Sequence, residues 1–470
     1  MNPSQWTCSR RGVAATLLAA WTSLCGTGRL QAQQPALSRA IDAYIDPYVQ
    51  THNFSGQLLV ARNGTIVYER SLGWADREHR TPMTPNSRLH IASMSMQFSA
   101  AAIMRLVDQG RLTLDTHVAE IVPAVRGGDR ITIRNLLEMR SGLSDINART
   151  DYDSILQHHQ TPASLMNVVA GDSLLFPPGS RYAHEEHSAY NLIALVIEKK
   201  SGQPFARAMQ ELVFAPAGMA HSGADGDESR VDHLALGYAP KGTSSLEPAA
   251  LIHWSAKAGN ASVYSTARDE ARWVEELLHG KLLSGASRDV ILDTAGVPIG
   301  YGWFRRPNTR FREMAYSMSG RSPGFASFLV YLPREKLLVV ALSNIYSSAT
   351  TDLGYDIAAI ALGMPTTAVA LSANPFPPDS MRLEGAHFTF PADFYQPNAT
   401  LAFRVIDGDL FMLWPSGNRS PIIPIDRNHA IDRAYWEPLL VSRDAAGRAT
   451  SLTYDRFRGE RVEGVPTSTP

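Results

Sequence analysis

Ser93 stands at the head of a long apolar run, Ile91–Ala100, which continues through Ala101, Ala102, Ile103, Met104 and Leu106. A hydroxyl at the mouth of a buried helix is a place for a nucleophile, provided a base lies within reach. Residues three apart share a helix face, so the spacing predicts the Met96 side chain beside the Ser93 hydroxyl. Methionine carries no titratable proton, and Met96 cannot be that base. Sulfur offers no substitute nucleophile either. The two cysteines, Cys8 and Cys25, both fall in an N-terminal stretch that reads as an export signal.

That stretch has Arg10 and Arg11 as its charged region, Val13–Leu24 as its apolar region and Leu30-Gln31-Ala32 as its cleavage chemistry. The apolar part is short of the ~20 residues of a spanning helix, so no transmembrane span is expected after signal removal. The protein is expected to be exported, to a periplasmic or extracellular location. With the signal gone the chain would hold no cysteine, hence no disulfide and no thiolate metal ligand. The 470 residues are 44% hydrophobic with a net charge of -1, enough for one large domain and a smaller one. This balance lacks the basic footprint of a nucleic-acid partner.

The elements that would position Ser93 follow in order. A helix is predicted around Leu37–Gln50. Gly56–Val60 and Thr65–Arg70 read as strands joined by Asn63-Gly64, a two-residue hairpin signal. After the Ser93 helix, ended by Gly110, Ile131–Leu137 starts another. Thr161-Pro162 caps a helix through Ala170, and Tyr190–Lys200 is helical with Gly202 beyond its end. Phe325–Leu332 and Leu337–Asn344 form a strand pair, and a last helix runs near Leu353–Leu362. Pro365, Pro375, Pro377 and Pro378 mark a linker. Beyond it Leu401–Ile406, Leu410–Trp414, Pro438–Ser442 and Ser451–Asp455 read as strands. The expected division is 1–32 signal, 33–364 main domain, 365–380 linker and 381–470 small β-domain.

The ordered stretches SGQLLVARNG, RLHIAS, RLTLDTHVAEIVP, ITIRNLLEMRSGL, PPGSRYAH, AYNLIALVIE, VYSTARDEARW, YGWF and GRSPGFASFLVYLP carry a resemblance. From about Leu37 to Leu362 the chain resembles the serine β-lactamase and penicillin-binding protein family, in its class C and esterase-like branch. The residues past Arg382 look like the small β-barrel appended in this branch. The resemblance implies an α+β fold, an antiparallel sheet flanked by helices plus a helical subdomain, followed by a small all-β C-terminal domain. It also implies a cleft in which three motifs meet.

All three motifs depart from the family pattern. Met96 replaces the lysine of Ser-x-x-Lys. Where Tyr-x-Asn is expected, the chain reads His184-Glu185-Glu186-His187 with one extra residue. His184 and Glu186, or Glu185 and His187, therefore take the two places. Met318-Ser319-Gly320 stands for the third motif and keeps only its glycine. Met139 stands where relatives commonly have histidine. The expected oxyanion donors are the Ser93 N–H and one on the strand near Ser322, and Gly320 and Ser322 are the candidate binding residues. A positioned general base contributes ~10²–10⁴-fold, so ordinary β-lactam or D-Ala-D-Ala hydrolysis is expected to be absent.

Three readings of this centre stand side by side. His184 or His187, oriented by Glu185 or Glu186, replaces the base and Ser93 remains an acyl-transfer nucleophile. Alternatively Met96 and Met318 with His184 or His187 form a soft-metal site, for which copper is the candidate. Finally, the cleft binds a small-molecule or peptidoglycan-like ligand without catalysis.

Overall fold

The structure is a computed structural model that describes residues 35–183, 187–224, 231–293, 299–372 and 376–463. The expected signal segment, and His184, Glu185 and Glu186, lie outside the described residues. Among the described residues no helix is long and apolar enough to cross a membrane.

A seven-stranded antiparallel sheet carries the larger part of the chain. Its strands are β1 (Gly56–Arg62), β2 (Thr65–Leu72), β3 (Ile299–Gly300), β4 (Trp303–Asn308), β5 (Glu313–Ser322), β6 (Phe325–Leu332) and β7 (Leu337–Ser343). They lie in the order β3-β4-β5-β6-β7-β1-β2. The β1–β2 turn is Asn63-Gly64, with φ of 52° and 72°, the left-handed pair that matches strand twist in a two-residue hairpin. Every residue of β7 (LLVVALS) is buried. A strand buried on both faces reads as a continuous apolar run and requires a layer on each side of the sheet.

Those layers are helical. On one face residues 35–50 form α1, and they share a core with α5 (Ala349–Ala361) through Tyr48, Leu353 and Ile357. On the other face lies α2 (Ser95–Asp108), in which all but three residues are buried. A helix apolar on nearly every side must sit inside a helical layer. Around it pack α3 (His187–Ser201) and α4 (Ala267–His279), whose Trp273 is fully buried.

The C-terminal part closes into an eight-stranded antiparallel barrel. Its strands are β8 (His387–Thr389), β9 (Thr400–Ile406), β10 (Asp409–Leu413), β11 (Arg419–Pro424), β12 (His429–Asp432), β13 (Glu437–Arg443), β14 (Ala449–Tyr454) and β15 (Phe457–Val462). Pairing of β8 with β15 removes both sheet edges, and Phe388, Phe403 and Met412 fill the interior.

A fully buried arginine joins barrel to sheet. Arg433 donates from Nε to the Asn53 side-chain oxygen at 2.8 Å and from Nη2 to the His52 carbonyl at 2.8 Å. Its Nη1 reaches the carbonyls of Gly242 and Ser245. Burial pushes the guanidinium down to about 9. Beside it Trp436 packs on Tyr48, with ring centroids 5.5 Å apart.

Candidate active site

Ser93 lies on a single 3₁₀ turn, Ala92–Met94, that feeds α2. Ala92 has φ 50°, a left-handed conformation costing an L-residue roughly 1–2 kcal/mol. The surroundings hold it in place. The Ile91 N–H donates to the Val263 carbonyl at 3.0 Å, and the Ser327 hydroxyl donates to the Ile91 carbonyl at 2.6 Å. Just beyond, the Ser95 hydroxyl accepts from the Val263 N–H at 3.0 Å. Ser95 is therefore committed to structure, while Ser93 opens into a cavity of about 240 Å³.

Strand β5 forms one wall of that cavity. Past Ser317 its outer edge has no strand partner among the described residues, and it runs alongside the Ser93 turn instead. The approach is close at Gly320, where a Cβ would lie 2.7 Å from the Ser93 nitrogen and 2.3 Å from the Ile91 carbonyl. Only glycine admits that contact. Met318, Ser319, Gly320 and Arg321 line the cavity. Ser322 does not; it sits at the hairpin end opposite Phe325.

Met96, Met139 and Met318 line the same cavity as Ser93, and each is at most 3% exposed. Met139 follows the short helix Ile133–Leu137 with φ 52°, and its carbonyl accepts from the Ala183 N–H at 2.9 Å. That bond fixes the chain just before the His184–His187 stretch. Among the described residues no group of three or more His, Cys, Asp or Glu side chains is placed to hold a metal, so a metal here would need the thioethers.

His187 is the first residue of α3, and it also lines the cavity. Its Nδ1 lies 3.1 Å and 3.3 Å from the two carboxylate oxygens of Asp145. Asp145 is itself fixed, because its side chain accepts from the Asn147 N–H at 3.1 Å. The following Ile146 N–H donates to the Ser188 hydroxyl at 2.9 Å. The 145–148 turn and the start of α3 are thereby tied together. With Nδ1 held by a carboxylate, Nε2 is the nitrogen left for other chemistry.

Two residues went unread in the sequence, one paired with His187 and one buried near its partner. Asp145 lies 42 positions from His187 in a polar loop, and only folding reveals the pairing. Lys257 is 9% exposed, with its amine 5.2 Å over the Tyr152 ring. Burial pushes that amine down to about 8, with Asp145 acting in the opposite direction. The one available signal was a lysine inside the small-residue run Ser255-Ala-Lys-Ala-Gly259. Elsewhere, His253 and Trp254 are packed: Trp254 stacks on His90 at 3.6 Å, and His253 Nδ1 lies 2.7 Å from the Ser255 hydroxyl.

Residues 41–363 match the family model described as Beta-lactamase. Over 306 residues the chain is 28% identical to a penicillin-binding protein, PbpX, of Bacillus subtilis, covering 65% of this chain and 74% of that protein. The penicillin-binding protein of Bacillus halodurans superposes with TM-score 0.60 at 25% identity, covering 69% of this chain and 98% of the other. The octameric penicillin-binding protein homologue of Pyrococcus abyssi gives TM-score 0.62 at 20% identity, covering 89% of this chain and 99% of the other.

Proposed function

The chain belongs to the β-lactamase family, and from that premise we propose that it is an exported acyl hydrolase with a rebuilt proton path. In this reading Ser93 is the nucleophile, His187 the base and Asp145 the residue that orients the base. The observation that carries it is that His187, paired with Asp145 through Nδ1, lines the cavity that holds Ser93. The sequence offers Glu185 or Glu186 as the orienting carboxylate, and both lie outside the described residues; this reading takes Asp145, whose oxygens lie 3.1 Å and 3.3 Å from His187 Nδ1.

The steps follow from these groups. Ser93 Oγ attacks the acyl carbon while its proton passes to His187 Nε2, and Asp145 stabilises the imidazolium. The oxyanion is met by backbone donors, the Ser93 N–H and the free edge of β5 at Arg321, beside the position first assigned near Ser322. His187 returns the proton to the leaving group. Water, deprotonated by the same nitrogen, then releases the acyl group. With methionines at 96 and 318, ordinary β-lactam and D-Ala-D-Ala hydrolysis is absent from this reading.

The test is labelling with a fluorophosphonate probe and turnover of p-nitrophenyl butyrate, in parent and Ser93→Ala. Labelling and turnover should both vanish in the variant, and a fluorescent penicillin should label the parent weakly. An inert parent, or activity that survives Ser93→Ala, overturns the assignment.

A specific observation also favours a second reading. Three thioethers and one imidazole share a single cavity, a donor set suited to Cu(I). A carboxylate behind a ligating imidazole would hold His187 in the same orientation for a metal. Elemental analysis after Cu(I) loading should find one copper per chain, lost in Met96→Leu plus Met318→Leu. A parent without copper after loading removes this reading and leaves the first untouched.

A further inference from the structure

A second cavity, of about 460 Å³, lies between the N-terminal end of α5 and the barrel. Six of its side chains matter: Asp352 from α5, and Tyr395, Trp414, Tyr435, Glu437 and Tyr454 from the barrel. Among the described residues no lysine, arginine or aliphatic side chain lines it. Tyr395 and Tyr435 are 56% and 38% exposed, which leaves aromatic surface facing solvent. Trp414 stands among the rings, with centroids 5.8 Å from Tyr435 and 5.7 Å from Tyr454.

The acids of this cleft have no ion-pair partner of their own, although the Arg310 charge acts on Asp352 from a distance. Among the described residues neither Asp352 nor Glu437 is in an ion pair, and the neighbouring Arg310 is held by Asp356 at 2.6 Å. Asp352 keeps an open side yet is crowded by protein and by the Asp356 charge, which push it up to about 6. Half-buried Glu437 is pushed up to about 7, first by burial and then by Asp455, Asp352 and Asp432. Carboxylates crowded in this way beside π-faces favour a cation that can be partly desolvated. One of the rings already accepts one: Arg321 lies 4.4 Å over Tyr435, on its way to the Ala434 carbonyl at 2.8 Å.

We propose that this cleft is a binding site for an organic cation with an ammonium head, held between the aromatic faces and the carboxylates of Asp352 and Glu437. Ser348 and Thr351 line both this cleft and the Ser93 cavity. A ligand anchored here by its ammonium therefore has a continuous wall leading towards Ser93. The proposal does not depend on the chemistry of Ser93.

Titration calorimetry of the full chain with choline, and with its neutral isostere 3,3-dimethylbutan-1-ol, tests the assignment. Choline should bind saturably, and the alcohol roughly tenfold or more weaker, the loss of one charge contact. Glu437→Gln and the exposed Tyr395→Ala should each weaken choline by about the same factor while the melting temperature holds, and Ser93→Ala should leave it unchanged. Equal affinity for choline and the alcohol would make the cleft merely apolar and overturn the proposal. Undetectable choline binding, choline binding untouched by Glu437→Gln, or binding of a neutral chitin oligosaccharide in its place would overturn it as well.

Discussion

On one side of the Ser93 cavity Met96 and Met318 present thioethers that hold no proton at any ordinary pH. On the other side His187 and Asp145 form a pair able to take a proton and stabilise the resulting charge. The first wall is built from a helix buried along most of its length and a strand edge that approaches the Ser93 turn at Gly320. The second is built from a loop and a helix start joined by side-chain hydrogen bonds. The frame that aims Ser93 thus sits apart from the groups that can serve it with a base.

His187→Ala should have the largest effect. A lost general base costs ~10²–10⁴-fold in kcat, measured with p-nitrophenyl butyrate, while the fold survives. Asp145→Asn should lose less, because the imidazole remains and only its orientation and charge support go. If His187→Ala matches the parent, the proton leaves by the other wall and the assignment fails.

Gly320→Ala attacks the frame instead. Its methyl group would meet the Ile91 carbonyl and the Ser93 nitrogen, an overpacking that costs about 1–3 kcal/mol. A lower melting temperature together with lost probe labelling is expected; an unchanged melting temperature would contradict the contact.

Lys257 gives a pH signature. Its amine is pushed down from 10.5 to about 8, so between those values the unfolded chain binds the extra proton. Stability should therefore rise with pH across that window, and the cost of the buried charge is fully felt below it. Lys257→Met should raise stability at pH 7 by on the order of 2–3 kcal/mol and flatten the rise, read from thermal melts at several pH values.

The smallest change is expected from Met96→Leu plus Met318→Leu in metal-free protein. Volume-conserving swaps usually cost under about 1.5 kcal/mol, and esterase activity should stay within a few-fold. A large loss without copper would mean that the thioether wall takes part in catalysis.

Local rules carried the reading of the sequence a long way. Asn63-Gly64 announces its hairpin because the turn chemistry is local, and the expected pair Phe325–Leu332 and Leu337–Asn344 is plain from apolar runs around Pro333, the second strand ending one residue earlier at Ser343. The last helix begins at Ala349, a turn before the expected Leu353, because its first residues are small and polar. Of Ile131–Leu137 only Ile133–Leu137 is helical, after a Thr132 cap. Strand β11 went unread because Pro421 and Pro424 signal a break, yet Pro421 pairs with Phe411 in the barrel. In the site, Met96 beside Ser93 followed from helix spacing, whereas Met318 came through family likeness. The Asp145–His187 and Lys257–Tyr152 contacts join distant segments, and no window of sequence contains those.

The buried guanidinium of Arg433 carries a consequence for how such a molecule can be cut or recombined. A chain stopped at its proline-rich stretch would retain the serine turn, but the oxygens of His52, Asn53, Gly242 and Ser245 would lose their shared donor. Grafting the barrel onto another relative would bury the same cation, and the host loops would have to present oxygens at matching positions. Neither half is a spare part: gain or loss of the barrel demands a matching change in the loops at residues 52–53 and 242–245.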